Sequence, residues 1–391
     1  MKTLIQVLKG SIALPLVAAL AVGCASPSRT QHDAGQERHI RLQAPTALVH
    51  LFGDADAVVP FSDLVGLTPI QEQEFLDWFH AAHRSHVPPH HRVAEYLQNR
   101  LKGVLFDHQT LGAADTLIEG KGNCVSLALV TTAVARLAGI ENDWRLTMNN
   151  PIYSADGSLV FSSNHVHTRL FDPSYSPQPG QITLVRPMVV VDYFTDQPSL
   201  FGGRTLNEPE MIALVYQNLA AEALGRRDLA SSLQLALTGL GHDPDNAELY
   251  NLLGVLHQRQ EALSEAESFF RHSLALDRQL STLRNLEALL LRMERPEEAR
   301  RISRQIQAMP DSDPFPFIQL GDRAFADGRL NTARRYYRQA HELAPYLPKL
   351  RYRIAMLERD RAERSTELSL QAAMAKTSMP YPPPASKFAP E

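Results

Sequence analysis

Cysteine is scarce in this sequence, with only two among 391 residues, at positions 24 and 124. A scaffold held together by disulfides is therefore excluded, because such scaffolds depend on several paired cysteines. The sequence also lacks strong charge of either sign: the formal net charge is −4, which argues against nucleic-acid binding. Its N-terminal apolar run is shorter than the roughly 20 residues that a membrane-spanning helix requires. The length of the chain predicts two globular domains with extensions.

The N-terminal segment has the composition of an export signal. Lys2 and Lys9 carry positive charge, residues 11–22 are apolar, and small residues precede Cys24. The segment resembles a bacterial lipoprotein signal, in which the cysteine is acylated and becomes the new N-terminus. The resemblance implies a lipid anchor at Cys24 in the envelope of a Gram-negative bacterium, and Ala25 favours the outer membrane, facing the periplasm. An uncleaved N-terminal anchor is the alternative.

A lipid on Cys24 would leave Cys124 as the sole thiol of the mature protein, without an internal disulfide partner. Cys124 follows a turn with glycines at 120 and 122, and precedes an apolar stretch, 125–138, that predicts a buried helix. Unpaired N–H groups in the first turn of a helix favour a thiolate. These features are those of a nucleophilic cysteine. The alternative is a small apolar residue at a helix start, and most buried cysteines are of that kind.

The surrounding segments predict helices followed by strands. Thr68 and Pro69 begin a helix that continues through 71–79, and a second helix runs from about His91 to Leu105. Apolar alternation predicts strands over 143–148, 165–171 and 188–194, with a loop or hairpin at 149–158. This order predicts an α+β fold with an antiparallel sheet, and not a doubly wound α/β fold.

The run Gly122-Asn123-Cys124 at the start of an apolar helix resembles the transglutaminase-like fold, a papain-like cysteine superfamily. The nearest resemblance is to bacterial transglutaminase-like proteins fused to tetratricopeptide repeats, and it covers about residues 68–200. It implies a catalytic triad of Cys124, His165 and Asp192. In that triad the thiolate attacks an amide carbonyl, the imidazole moves the proton, and the carboxylate orients the imidazole.

Two residues compete for these roles. His167 is the alternative histidine, because residues two apart on a strand face the same side. Asp172 is the rival acid, although an Asp-Pro pair is explained by a turn. The sequence departs from the superfamily after the histidine, where His167 stands in place of an aromatic residue. The oxyanion donor is unassigned apart from the backbone N–H of Cys124, and we do not transfer that role to Trp144.

From about Leu206 the composition changes to charged, Ala- and Leu-rich helix, and a repeat becomes visible. One spacing is shared by two sets of residues: Leu253, Gly254, Ala266 and Phe270, then Leu320, Gly321, Ala333 and Tyr337. Ala299 falls 33 residues after Ala266 and 34 before Ala333. This is the tetratricopeptide period, and it predicts an all-α solenoid of four repeats with a concave surface for a protein or peptide partner.

The predicted organisation is a lipoprotein signal over 1–24, a flexible tether over 25–45, a transglutaminase-like domain over 46–205, a repeat solenoid over 206–375, and a disordered Pro-rich tail over 376–391. The predicted function is peptide-bond hydrolysis or acyl transfer by a tethered cysteine enzyme whose repeats recruit a partner. The alternative is a non-catalytic adaptor lipoprotein that binds partners through its repeats. No cofactor or metal is expected, because the histidines at 80, 83, 86, 90 and 91 lack a completing Cys, Asp or Glu pattern.

Overall fold

The computed structural model describes residues 4–7, 44–107, 109–156, 159–177, 185–193, 203–309, 314–344 and 350–359. The chain forms two compact units, Met1–Pro310 and Asp311–Glu391. Cys24, nearly all of the predicted tether and the Pro-rich tail lie outside the described residues. Among the residues that are described, no helix is both long and apolar enough to cross a bilayer.

The strands of the first unit are β1 (Leu4–Val7), β2 (Leu105–Phe106), β3 (Lys121–Gly122), β4 (Asn142–Asp156), β5 (Leu159–Phe171), β6 (Met188–Asp192) and β7 (Arg204–Leu206). An antiparallel sheet has the strand order β1-β6-β5-β4-β7, and β2 pairs with β3 in parallel. The three predicted strands therefore form the middle of the sheet. The short outer strands β1 and β7 were not predicted, and β1 lies within the predicted signal segment.

The turn-forming residues at 149–151 lie inside β4 and do not end it. The register between β4 and β5 shifts between Thr147 and Ile152, which brackets Pro151. Proline has no N–H to donate, so a strand that contains it commonly bulges at that point. Strand β4 continues to Asp156, and β5 begins at Leu159.

Four helices precede the cysteine: α1 (Phe61–Val65), α2 (Pro69–His80), α3 (Pro89–Arg100) and α4 (Ala113–Glu119). Helix α2 begins as predicted, because the side chains of Thr68 and Gln71 each accept a hydrogen bond from the other residue's backbone N–H. Helix α3 ends at Arg100, and the prediction of helix up to Leu105 was wrong. Gly103 takes a φ of +85°, which ends the helical path and turns Leu105 into β2.

Helix α5 (Cys124–Leu137) is buried along nearly all of its length and packs against β5. The hydroxyls of Thr131 and Thr132 on α5 donate hydrogen bonds to backbone carbonyls one turn earlier in the helix. The same oxygens accept hydrogen bonds from the sheet: Thr131 from the hydroxyl of Tyr193, at 2.9 Å, and Thr132 from Nε1 of Trp144, also at 2.9 Å. Buried polar contacts therefore fix β6 and β4 relative to the cysteine helix.

The rest of the described chain is helical: α6 (Glu208–Gly225), α7 (Leu229–His242), α8 (Ala247–Arg259), α9 (Leu263–Leu276), α10 (Leu280–Arg292) and α11 (Pro296–Gln307) in the first unit, and α12 (Phe315–Ala326) and α13 (Leu330–Leu343) in the second. Consecutive helices pack as hairpins, α6 on α7 through α12 on α13. The turn inside each hairpin has one residue with positive φ, at positions 227, 261, 294 and 328. The all-α repeat prediction is confirmed for these hairpins.

The predicted spacing of glycine and aromatic residues corresponds to close helix packing. A methyl group added at Gly254 on α8 would lie 2.5 Å from Cδ1 of Phe270 on α9. In the second unit, a methyl group at Gly321 would lie 2.4 Å from Cε1 of Tyr337. Each glycine therefore allows an aromatic ring to pack directly against the backbone of its partner helix.

We predict that Gly254→Ala destabilises the repeats by about 1–3 kcal/mol, because the new methyl group overlaps a buried ring. The measurement is the urea midpoint for loss of helical circular dichroism. Gly241→Ala on α7 is the matched control, since nothing lies within 4 Å of its added methyl group. The control variant should be unchanged or more stable by about 0.5–1 kcal/mol. Equal midpoints for the two variants would contradict the packing argument.

Candidate functional site

The cysteine lies at the first position of α5, held there by a side-chain cap. Oδ1 of Asn123 accepts a hydrogen bond from the backbone N–H of Ser126 at 2.9 Å, which caps the helix. Cys124 is buried, with 4% of its surface exposed. Gly122 is required just before the cap, because an added methyl group would lie 2.8 Å from Cβ of Ser126.

The histidine and the acid come from neighbouring strands. Strands β5 and β6 pair with Thr168 opposite Val191, which puts Asp192 at the level of His167 and within reach of His165. Nε2 of His165 lies 2.9 Å and 3.0 Å from the two carboxylate oxygens of Asp192. Cys124 also acts on the His165 imidazole and favours its charged form, which places the thiol near the ring. Asp192 engages Nε2, so the carboxylate leaves Nδ1 as the other ring nitrogen.

The surroundings of His165 favour its charged form. Burial lowers the pKa of an imidazole, but the hydrogen bonds and negative charges of Asp192 and Cys124 outweigh burial and raise the pKa of His165 to about 10. Asp192 is 1% exposed, so its charge depends on this imidazolium in place of water. The pair can therefore hold a proton next to the cysteine at neutral pH.

His167 occupies a different environment on the same strand. Its side chain is buried, and neither ring nitrogen has a hydrogen-bond partner among the described residues. Nδ1 of His167 lies 4.0 Å from Oδ2 of Asp192. Burial lowers the pKa of His167 to about 4, with the charges of His165, Arg145 and Arg169 acting in the same direction against the attraction of Asp192. His167 is therefore a neutral imidazole near Asp192, whereas His165 is the histidine that is hydrogen-bonded to Asp192 and held in its charged form.

The other sequence candidates have structural explanations. The carboxylate of Asp172 accepts hydrogen bonds from the backbone N–H and hydroxyl of Ser174, as an Asp-Pro turn does. Trp144 donates its indole N–H to Thr132 on α5. The structure thus brings Cys124, His165 and Asp192 together. Asp172 and Trp144 make structural hydrogen bonds to other residues. The catalytic roles stay predictions.

Sequence reasoning missed the residues that hold the site in place. Asn123 could have been found as a helix cap, because an Asn directly before an apolar helical run is a capping signal. Thr110 and Glu222, which hydrogen bond to each other, are 112 residues apart and leave no local signal. Such long-range partners are visible only in the folded chain.

The donor atoms of His165, His167 and Asp192 lie within 4.8 Å of one another, so these side chains could hold a metal ion. Within the described part of the chain, no other group of three His, Cys, Asp or Glu side chains is arranged in this way. Two imidazoles and a carboxylate are ligands that suit zinc and similar ions. Binding of a metal here would compete with the hydrogen bond between His165 and Asp192.

Solved structures similar to this chain are helical-repeat proteins. YrrB, described as a TPR protein with an unusual peptide-binding site, is 20% identical over 39% of this chain and 79% of its own, with a TM-score of 0.25. Pseudomonas aeruginosa PilF is 20% identical over 45% of this chain and 80% of its own, with a TM-score of 0.28. The first TPR of Spaghetti (RPAP3), bound to an HSP90 peptide, is 16% identical over 39% and 98%, with a TM-score of 0.20.

Neither a family model nor a curated protein sequence matches the chain. The TM-scores are all below 0.5. The repeats are defined in this chain by the spacing of the hairpins and by the packing of glycines against aromatic rings.

We predict that His167 makes the protein less stable in acid. Its folded pKa of about 4 lies below the ordinary value of 6.5, so its neutral form contributes stability that is present above pH 6.5. That contribution is lost as the pH falls through the range from 6.5 to 4. His167→Gln, which does not titrate, should therefore lose less stability than the wild type between pH 7 and pH 4.5. Urea unfolding at both pH values measures this, and identical losses would contradict the assignment.

Proposed function

We propose that this chain is a transglutaminase-like cysteine hydrolase or acyltransferase that acts on a peptide amide bond. The observation that carries the proposal is the position of His165, which hydrogen bonds to Asp192 and whose charged form is favoured by both Asp192 and Cys124. A neutral thiol is a poor nucleophile, whereas a thiolate paired with an imidazolium attacks carbonyl carbons readily. The carboxylate behind the ring keeps the imidazole in the required orientation.

The proposed reaction has two steps. The Cys124 sulfur forms a bond to the substrate carbonyl carbon, the C–N bond breaks, and the leaving amine takes a proton from the His165 imidazolium. The product of this step is a thioester. Water or a second amine then attacks the thioester carbonyl carbon and gives a proton to His165, and the C–S bond breaks. The thiolate–imidazolium pair is thereby restored, and the acid or the new amide is released. The backbone N–H of Cys124, at the first position of α5, is the candidate oxyanion donor.

The location of the enzyme is part of the proposal. A lipid on Cys24 would anchor the chain at the outer membrane, facing the periplasm, and residues 25–45 would act as a tether. A flexible tether of that length has a root-mean-square span of about 25 Å, so the enzyme would act close to the membrane surface.

The test uses p-nitrophenyl acetate, an activated ester that acylates reactive thiols. We expect a burst of p-nitrophenol from the full-length chain, none from Cys124→Ala, and a burst at least tenfold slower from His165→Ala, because a misplaced or absent base removes most of the acceleration. Added alkylamine accelerates turnover if the thioester is transferred to amines and leaves it unchanged if water is the acceptor. Equal bursts from the wild type and His165→Ala would contradict the proposal.

A second candidate function is partner binding without catalysis, and the amide side chains of the repeats favour it. Asn218 on α6, Asn251 on α8 and Asn285 on α10 are 33 and 34 residues apart, so they occupy one repeat position. All three are partly buried, and Nδ2 of Asn285 donates to Oδ1 of Asn251 at 2.9 Å. Amides in a row can donate to and accept from the backbone of an extended peptide. We therefore propose this row as the peptide-binding face.

We predict that the pair Asn251→Ala and Asn285→Ala weakens peptide binding by roughly tenfold, because two direct hydrogen bonds to the ligand are lost. A peptide array selects the tightest ligand, and fluorescence anisotropy measures its affinity. Ser268→Ala, at an exposed position on the second helix of a hairpin, is the matched control. Binding that survives in the double variant would contradict this assignment, and binding that survives in Cys124→Ala would show that recruitment is independent of the thiol.

A further inference from the structure

We infer that the repeat stack completes the cysteine site: Glu222 on α6 is a positioning residue that fixes Cys124 through Thr110 and Asn123. The inference rests on the proposed function of Cys124. It assigns a role in the N-terminal domain to a residue of the repeats, and it makes the thiol dependent on the first repeat helix.

The first link joins α6 to the segment that precedes the cysteine turn. The backbone N–H of Thr110 donates to Oε1 of Glu222 at 2.7 Å. Burial raises the pKa of the Glu222 carboxyl, and the hydrogen bonds with Thr110 act in the opposite direction. A carboxyl that has lost much of its water depends on such donors, so Glu222 holds the backbone at Thr110 in place.

The second link joins Thr110 to the helix cap. Nδ2 of Asn123 donates to Oγ1 of Thr110 at 2.8 Å, and both residues are 7% exposed. This contact turns the NH₂ group of the amide towards Thr110, so its carbonyl oxygen faces α5. Without the Thr110 hydroxyl, the NH₂ group of Asn123 would lose this acceptor.

The third link fixes the first turn of α5. The side-chain oxygen Oδ1 of Asn123 accepts a hydrogen bond from the N–H of Ser126. Oγ of Ser126 in turn accepts one from the N–H of Leu111 at 2.8 Å. The segment around Thr110 and the first turn of α5 therefore hold each other at two points, one on each side of Cys124. The thiol has to meet the ring of His165, so a shift of the cap changes the distance between sulfur and nitrogen.

A second contact of α6, with the far end of α5, provides a comparison. Arg136 in the last turn of α5 pairs with Glu208 at the start of α6, at 2.7 Å. Both side chains are exposed, so this ion pair contributes little and lies at the opposite end of α5 from the cysteine. Loss of Glu208 loosens the helix contact without touching the cap.

The experiment measures the rate of Cys124 alkylation by iodoacetamide at pH 7 in the full-length chain, which needs no substrate. Glu222→Ala is expected to slow alkylation by roughly tenfold, since small misplacements of reacting groups cost one to two orders of magnitude. Glu222→Gln keeps an acceptor for Thr110 and should stay within about threefold of the wild type. Glu208→Ala is the control and should match the wild type.

A double-variant cycle separates positioning from general destabilisation. Thr110→Val keeps the N–H that meets Glu222 but removes the hydroxyl, which meets Asn123 and also interacts with Glu222, so it breaks the chain of contacts at its middle. Adding Glu222→Ala to Thr110→Val should then slow alkylation no further, because both act through one path. Additive losses, or Glu222→Ala at the wild-type rate, would overturn the inference. If Glu222→Ala does not fold, Thr110→Val and Glu222→Gln carry the comparison, and Thr110→Val at the wild-type rate overturns it.

The same assay distinguishes this inference from the function on which it depends. Slow alkylation in His165→Ala, together with no effect at Glu222 and Thr110, leaves the proposed function standing and removes the positioning role. Alkylation that does not depend on His165 removes both.

Discussion

The N-terminal domain is organised around a carboxylate that water cannot reach. Asp192 is 1% exposed, and an isolated ionised carboxylate at that burial would be strongly unfavourable. Its pairing with His165 therefore requires β5 and β6 to keep their register and requires the imidazole to stay protonated. The next residue, Tyr193, hydrogen bonds to Thr131 on α5, so the strand that carries the acid is fixed to the helix that carries the thiol. One buried charge thus sets the relative positions of two strands and a helix.

Sequence patterns were sufficient where structure is local. The apolar run after Cys124, the capping residues at Thr68 and the alternation of 165–171 each predicted the element found there, because propensity, capping and burial act within a few residues. The end of α3 was missed, since the φ of Gly103 and the pairing of Leu105 with Lys121 decided it. The choice between His165 and His167 could not be made from spacing, because both face the same side of the strand. The positions of Asp192 and Cys124 relative to the two rings distinguish them in the folded chain.

The repeats and the cysteine domain are joined by hydrogen bonds as well as by the chain itself. Buried contacts between distant segments hold α6 against the cysteine domain, and the N–H of Leu48 donates to Nε2 of His257 on α8. The spacing of Ala266, Ala299 and Ala333 predicted the hairpins but carries no information about these contacts. Periodicity describes how a repeat meets its neighbours, whereas the first repeat of an array also meets whatever precedes it.

The hairpin turns have a consequence for how this chain can change over time. Three of the four left-handed turn positions hold Arg227, Glu261 and Glu294, and only the fourth holds glycine, at 328. A side chain in that conformation costs about 1 kcal/mol relative to glycine. Single substitutions to glycine would therefore strengthen the array one hairpin at a time without altering a packed residue or the row of amides. The stability of the repeats and the ligand that they bind can then change independently, because different positions of the same repeat determine them.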